Sequence, residues 1–569
     1  MEMFNGIKTR NDLADYLRVP RSKLTHILYV KTVDSYYQVF EIPKKNGEKR
    51  IISAPSGDLK DIQAKLALAL WNYQSELQKS KSTRVNISHA FEKEKSIITN
   101  AKVHRNKRYV LNIDLKDFFD SFHFGRVMGF FEKNKSYLFP HEVAVVIAQI
   151  ACFEGKLPQG APSSPIITNL ICQILDMHIL KVAKSYRLDY TRYADDLTFS
   201  TNWAGFLDAH SSFLNELSSV ITKAGFSIND KKTRLLFRDS RQEVTGLVVN
   251  KKLDVNRKYV KQTRAMAHSL YTTGAFSIDG VEGTINQLEG RFSFIDQLVH
   301  YNNKLDEAKH DSYHLCRREK DYRAFLFYKY FFANQNPVII TEGKTDIRYL
   351  QAALKSQYQK YPNLITKTDD GTFSFKISFF HRAKRWKYFF GVGLDGADAE
   401  KNLYRYFTGQ QGCENYYKYF TEKCCSVQKA PVVFMFDNET ESKRPLNRFF
   451  GENSQISAED KKALQDTLFL QLQKDSKTFL LTNPLVGEKR ESEIEDLFSP
   501  DLLSVELGGK HFCRKDSYDT DKYFGKDIFS DYVLSHYKTI DFSGFSSLLN
   551  ALNSIVVICQ EKIESDSHS

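Results

Sequence analysis

Cysteine is scarce: eight residues (Cys152, Cys172, Cys316, Cys413, Cys424, Cys425, Cys513, Cys559) lie in 569 positions with no Cys-x-x-Cys spacing. That pattern excludes a disulfide framework and fits a reducing cytoplasm. Long apolar runs are missing too. No stretch approaches the ~18 residues of a membrane span, and the start MEMFNGIKTRND lacks the apolar core of a signal peptide. A cytoplasmic protein with no membrane partner is expected. Fixed-period repeats and low-complexity tracts are also absent, which removes solenoids and disordered tails. What remains is ordinary globular composition, 42% apolar and 26% charged, in a chain long enough for about three or four domains.

The net charge of +12 is unevenly placed. Residues 1–300 carry 43 Lys and Arg against 31 Asp and Glu, whereas residues 301–569 carry 38 of each. A basic first part suits a surface that tracks phosphates; a solvated basic surface is the alternative. Residues 35–54 read as two β segments around a Lys-Lys-Asn-Gly turn, and 59–79 as a helix. Residues 301–336, charged and then aromatic without Gly or Pro, read as a helical connector. From 337 onward, short apolar runs (PVIIT, APVVFMF) end in acids, as parallel strands covered on both faces do.

Two segments carry chemistry. In LNIDLKDFFDSF, Asp114 stands where an apolar strand ends. In YTRYADDLTFS, strand-forming residues flank Asp195 and Asp196, which places the pair at a hairpin tip. Nucleotidyl transfer needs two divalent ions about 3.5–4 Å apart bridged by carboxylates, and three converging acids supply them. Alternation along a strand makes Asp195 the direct partner of Asp114 and Asp196 a weaker ligand.

With Leu157-Pro158-Gln159-Gly160-Ala161-Pro162-Ser163-Ser164-Pro165 between these blocks and Ala224-Gly225-Phe226-Ser227-Ile228-Asn229 after them, the chain resembles the reverse transcriptases over roughly residues 20–300. Glycine at 160 permits close approach to the nucleotide, and the prolines fix the turn before a helix. The resemblance implies a right-hand fold of fingers, palm and thumb. It also implies two Mg²⁺ ions on Asp114, Asp195 and Asp196, and a nucleotide pocket of Arg50, Phe119, Gln159, Gly160 and Lys232, with Lys45 and Lys49 nearby. Asn100-Ala101-Lys102-Val103-His104 and Val244-Thr245-Gly246 further resemble signatures of bacterial retron enzymes. Such an enzyme copies its own structured non-coding RNA with dNTPs, primes from a 2′-hydroxyl, and keeps the branched RNA-linked DNA bound. Asn100 and His104 are accordingly expected at the RNA. So is the basic segment of Lys251, Lys252, Arg257, Lys258, Lys261 and Arg264, which suits a thumb that grips RNA by shape and phosphate.

Beyond 337, Gly343-Lys344-Thr345 is no phosphate loop, because the required earlier glycine falls at Val338 inside a strand. Glu342 instead ends one strand and Asp437 another, where open α/β sheets bind ligands. Asp437 and Glu439, two apart, would point the same way toward a shared Mg²⁺. Asp346 reads as a helix cap. The arrangement resembles the TOPRIM fold over roughly 337–535, with Glu439 where a second aspartate is usual. Glu493-Ile494-Glu495-Asp496 and Gly525-Lys526-Asp527 resemble elements of TOPRIM nucleases. The resemblance implies one or two Mg²⁺ on Glu342, Asp437, Glu439 and Glu495, with Lys526 at the scissile phosphate; ordinary helix starts are the alternative for these two strings.

The expected organisation is α/β multidomain: fingers and palm at 1–250, thumb at 251–300, connector at 301–336, and a TOPRIM-like module with a mainly parallel sheet at 337–569. The expected activity is reverse transcription by a retron enzyme, with a metal-dependent nuclease acting in anti-phage defence. The nuclease target is undefined, and a homo-oligomer is compatible with the scheme. Two alternatives stand beside it: a module that binds without cutting, or an intron-type mobile element.

Overall fold

The computed structural model describes residues 4–43, 47, 49–80, 87–306, 310–393, 398–440, 444–515 and 517–566. Lys45 lies outside them. The chain divides into two compact units, Met1–Arg257 and Lys258–Ser569.

In the first unit, β1 (Tyr37–Pro43) and β2 (Lys49–Pro55) form an antiparallel hairpin with Tyr37 opposite Pro55 and Pro43 opposite Lys49. The helix expected over 59–79 runs from Gly57 to Ser80. The central sheet is antiparallel. Its first strand, β3 (Tyr109–Lys116), buries six of its eight residues, as a strand covered on both faces must. Beside it lies the hairpin of β4 (Asp189–Tyr193) and β5 (Asp196–Thr201), and on its other side β6 (Ser227–Ile228) and β7 (Arg234–Phe237) both pair with β3. Helix α1 (Ile97–Val103) starts with a capping box from Ser96 and Thr99. Helix α2 (Ser164–Ser185) carries Pro165 in its first turn, where no backbone N–H is missed. Its apolar side packs into the same core as β3 and β5.

The second unit holds α3 (Arg257–Thr273), α4 (Ile285–Asn303) and α5 (Arg317–Phe327). Its five-stranded sheet runs, from one edge, Ser378–Phe379, Val338–Ile340, Val432–Phe436, Thr478–Thr482, Phe469–Gln471. The first four are mutually parallel and the last is antiparallel. Alternate residues of the central strands enter different cores: Val338, Ile340, Phe434 and Phe436 one, Ile339, Val433 and Met435 the other. The aromatic half of the 301–336 segment is not a free connector. Phe325, Leu326, Phe327, Phe331 and Phe332 are buried in one core with Leu270 and Phe292 of α3 and α4. So many apolar rings must be covered, and the division falls after Arg257, inside the segment 251–300. Two helical segments, Ser164–Ser185 and Ser543–Glu561, are by length and composition apolar enough to cross a membrane. Counting uninterrupted apolar runs passes over both.

Candidate functional site

Asp114 lies two residues before the end of β3, not at it, and the strand register sets it directly opposite Asp196. The hairpin expected around the Asp pair is present, but Asp195 sits in its two-residue turn, not in a strand. Alternation therefore begins only at Asp196, and it is Asp196, not Asp195, that shares a register position with Asp114. The turn needs Ala194 at φ +56°, tolerable for so small a side chain. The Leu115 N–H donates to the Asp195 carbonyl at 3.0 Å, which ties the tip to β3.

Around Asp114 the bonds are specific. Asn229 Nδ2 donates to its Oδ1 at 2.9 Å, and Lys232 Nζ reaches both carboxylate oxygens at 3.1 and 2.9 Å. Lys232, expected in the nucleotide pocket, pairs here with Asp114. The cleft, a cavity of about 440 Å³, is lined by Asn112, Asp114, Asp196, Thr198, Lys232 and Arg234. Asp196 opens to solvent at its mouth, yet desolvation, then Asp195 and Asp114, push its carboxyl up to about 7. Desolvation also raises Asp195, with Asp114 adding to it and Lys232 and Arg50 opposing. Three mutually repelling acids short of positive charge fit a divalent cation. Among the described residues no three ligating side chains already stand closed on such an ion.

The neighbouring predicted residues fall as follows. Arg50 is exposed on β2. Phe119 begins a short turn after β3, half-buried, with its ring 5.5 Å from that of Phe118. Gln159 accepts from the Ser53 N–H at 2.8 Å. Gly160 stands at φ +121°, and a Cβ there would come within 2.9 Å of the Ser53 carbonyl and of Ile52. Its need for glycine is thus already set by β2 of the same chain.

Asn100 and His104 are corrected more strongly. Both are fully buried. His104 bonds Ser200 Oγ and Thr191 Oγ1, each at 2.7 Å, and Thr191 Oγ1 donates to Asn100 Oδ1. Neither faces outward to an RNA; they join α1 to the hairpin strands. The second retron-like string packs on the same helix, with Thr245 Oγ1 donating to the Ile97 carbonyl at 3.4 Å. Burial pushes His104 down to about 3. The sign follows: below pH ~6.5 the unfolded chain takes up a proton that the folded one refuses, so stability is full above that pH and falls toward pH 3. The unfolding free energy from urea denaturation is expected to drop by up to ~1.4 kcal/mol per pH unit below 6.5 on this account, and His104→Gln should flatten that slope.

Lys251, Lys252, Arg257, Lys258, Lys261 and Arg264 are all exposed. On α3, positions 257, 258, 261 and 264 fall on one helical face. Arg264 also pairs with Asp321 at 3.0 Å.

In the second unit, Glu342 follows the Val338–Ile340 strand and Asp437 follows Val432–Phe436. The Asp437 N–H donates to Glu342 Oε1 at 3.1 Å. Asp437 Oδ1 accepts from Asn483 Nδ2 at 2.5 Å and from the Ile494 N–H at 2.9 Å. Glu495 is fully buried and takes Lys526 Nζ at 3.1 Å; Lys526 also reaches Glu493 at 3.3 Å. Asp346 caps its helix, accepting from the Gly343 N–H at 2.9 Å. Glu439 departs from expectation. Its N–H turns back to the Asp437 carbonyl at 2.9 Å, so the strand has ended and alternation no longer applies. Its carboxylate pairs with Arg444 at 3.2 Å.

Sequence reasoning missed Glu400, fully buried against Arg382, which also donates to the Thr341 carbonyl at 2.7 Å. Burial first, then Glu400, pushes Glu342 up to about 8, and burial and Glu342 hold Asp437 well above the carboxylate range. Glu400 and Asn483 arrive from separate helix and loop segments, and no local motif marks them. This pocket of excess acid also fits a cation, with Glu342, Asp437 and Glu495 the candidate donors.

Residues 42–249 match the family model described as reverse transcriptase (RNA-dependent DNA polymerase). The chain is 36% identical to the retron Ec86 reverse transcriptase of Escherichia coli, over 49% of this chain and 85% of that protein. It is 33% identical to the retron Mx162 reverse transcriptase of Myxococcus xanthus, over 50% of this chain and 62% of that one. It is 30% identical to the retron Mx65 enzyme of the same organism, over 55% and 71%. Each match leaves about half of this chain uncovered.

Proposed function

Because the chain belongs to the retron reverse transcriptases, we propose that it copies its own structured non-coding RNA into RNA-linked branched DNA, and that its second acidic pocket belongs to a TOPRIM-type nuclease acting in anti-phage defence. The observation that carries the first part is the pairing of Asp114 with Asp196 across one cleft that Lys232 also lines, with Asp195 close enough to feel Asp114, Lys232 and Arg50. Bound Mg²⁺ would ease deprotonation of the attacking 3′ hydroxyl and offset charge on the triphosphate. The chain itself does the rest: Asp114, Asp195 and Asp196 hold the cations, Arg50 and Lys232 meet phosphate charge, and Phe119 walls the sugar. The basic face of α3 meets RNA phosphates, and Lys251 and Lys252 of the first unit offer phosphate charge of their own. Incubating the chain with its adjoining RNA and dNTPs should yield DNA that a 2′-5′ debranching enzyme separates from RNA; linear DNA alone would overturn the retron part.

The nuclease reading is supported by Glu342 and Asp437 at adjacent parallel strand ends, with Glu495 and Lys526 beside them. A cation held there would polarise a phosphodiester, and Lys526 would offset charge on it. Glu342→Gln and Asp437→Asn should each reduce Mg²⁺-dependent cleavage of nucleic acid by roughly 10²-fold or more and abolish protection from phage, with DNA synthesis intact. Cleavage that survives both changes would rule the reading out. The second reading, a module that binds the branched DNA without cutting, is favoured by Glu439 being held by Arg444 and by Asp437 being engaged by Asn483. It predicts binding but no cleavage by the wild-type chain.

A further inference from the structure

Phe91 is a large aromatic residue held where the backbone resists it. Its φ is +56°, in the left-handed region that bulky side chains rarely enter and that costs folding free energy. Burial does not compensate, because the side chain remains 42% exposed. Glu94, three residues on, is strained likewise at φ +63°. Strain of this kind persists only where surrounding structure imposes it.

The imposing structure is the support of the catalytic hairpin. Residues 87–90 run beside β4: the Arg192 N–H donates to the Ile87 carbonyl at 2.9 Å and the His89 N–H to the Arg192 carbonyl at 2.8 Å. The bridge between Ser88 and Arg192 is parallel. The chain after Ser88 therefore advances in the same direction as the chain after Arg192, toward Ala194 and Asp195. Asn169 then pins it, donating from Nδ2 to the Ala90 carbonyl at 2.9 Å and accepting from Ser88 Oγ at 3.0 Å. The same Asn169 Oδ1 accepts from the buried Arg192 guanidinium at 3.2 Å. One buried pair, Arg192 with Asn169, thus fixes both the hairpin that bears the acids and the backbone that presents the Phe91 ring.

We propose that Phe91 is a base-stacking platform, whose ring takes a nucleobase of the template–primer and positions that strand at the hairpin tip. Every base has a π face, so such a contact works on any sequence, as a copying enzyme requires. An exposed aromatic at fixed backbone strain, attached to the support of the metal-binding tip, is placed for that task. The inference rests on the polymerase reading above.

The test uses the full chain with a homopolymer RNA template annealed to a DNA primer, comparing Phe91→Ala, Phe91→Gly and Phe91→Trp. In Phe91→Ala the KM for template–primer should rise about tenfold, from the loss of one stacked base, with the KM for the dNTP unchanged. Phe91→Trp should restore binding. Phe91→Gly should lose binding equally yet show a thermal midpoint at or above wild type, since glycine relieves the positive φ. An unchanged template–primer KM in Phe91→Ala, failed rescue by Trp, or a lowered midpoint in Phe91→Gly would each overturn the platform. Titrating unprimed RNA and free primer separately identifies the strand: weaker binding of either supports the proposal, and of neither overturns it. A wild-type chain that makes no DNA would instead sink the polymerase reading, which these variants leave untouched when wild type is active.

Discussion

Asp195→Asn is expected to lower RNA-templated DNA synthesis by roughly 10³-fold while leaving the fold intact. The side chain is half-buried in the β4–β5 turn, and neutralising it relieves its desolvation and the repulsion from Asp114 and Asp196. Thermal stability should therefore hold or rise slightly, which separates this change from one that simply unfolds the first unit. Asp114→Asn should cost as much activity for a second reason: it also removes the charge that Lys232 pairs with and one of the two oxygens to which it donates. The check is single-turnover nucleotide incorporation across a Mg²⁺ titration. A loss recovered at high Mg²⁺ indicates weakened ion binding; a loss that persists indicates that the carboxylate contributes after the ion is bound. Synthesis within a few-fold of wild type in both variants would remove these acids from the chemistry.

The polymerase half was legible because its chemistry sits in local strings. The β4–β5 hairpin follows from strand-forming residues on either side of acids, and β1 and β2 from the strand-forming residues of 37–43 and 49–55. What the strings could not carry is which way a side chain faces. Asn100 and His104 stand in a recognisable string, yet they serve the interior, because Thr191 and Ser200, almost a hundred residues away, complete their hydrogen bonds. Gly160 was marked for close approach, but the approach of Ser53 to it was not legible, since only the fold brings Ser53 alongside. In the second unit the parallel strands with acids at their ends were readable from apolar runs. Glu439 was not, because period-two reasoning fails once the strand turns back on itself. The thumb segment was assigned by its charge; its apolar face decides which core it joins, and the rings of 325–332 supply that core.

The largest stability effect is expected at Arg192, which no motif singles out beyond its place in YTRYADD. Its guanidinium is fully buried and makes paired 2.8 Å bonds to both oxygens of Asp176 on α2, with further bonds to Asn169 and to the Ala194 carbonyl at 3.4 Å. Arg192→Met leaves the Asp176 carboxylate buried with only Tyr190 Oη, at 2.9 Å, as side-chain partner, and should cost about 3–5 kcal/mol. Removing the second charge as well, in Arg192→Met/Asp176→Leu, should recover most of that loss, because an apolar pair of similar volume is often as stable as a buried ion pair. Denaturant unfolding followed through the first transition of the two-unit chain measures both. The two roles then separate. If Arg192 only stabilises, the double variant regains synthesis along with stability. If it also holds the turn through the Ala194 carbonyl, the double variant folds but stays well below wild-type activity at every Mg²⁺ concentration, because no other side chain replaces the donor behind Asp195. The second outcome is expected, since the turn's backbone is strained at Ala194 and a strained turn needs its outside support.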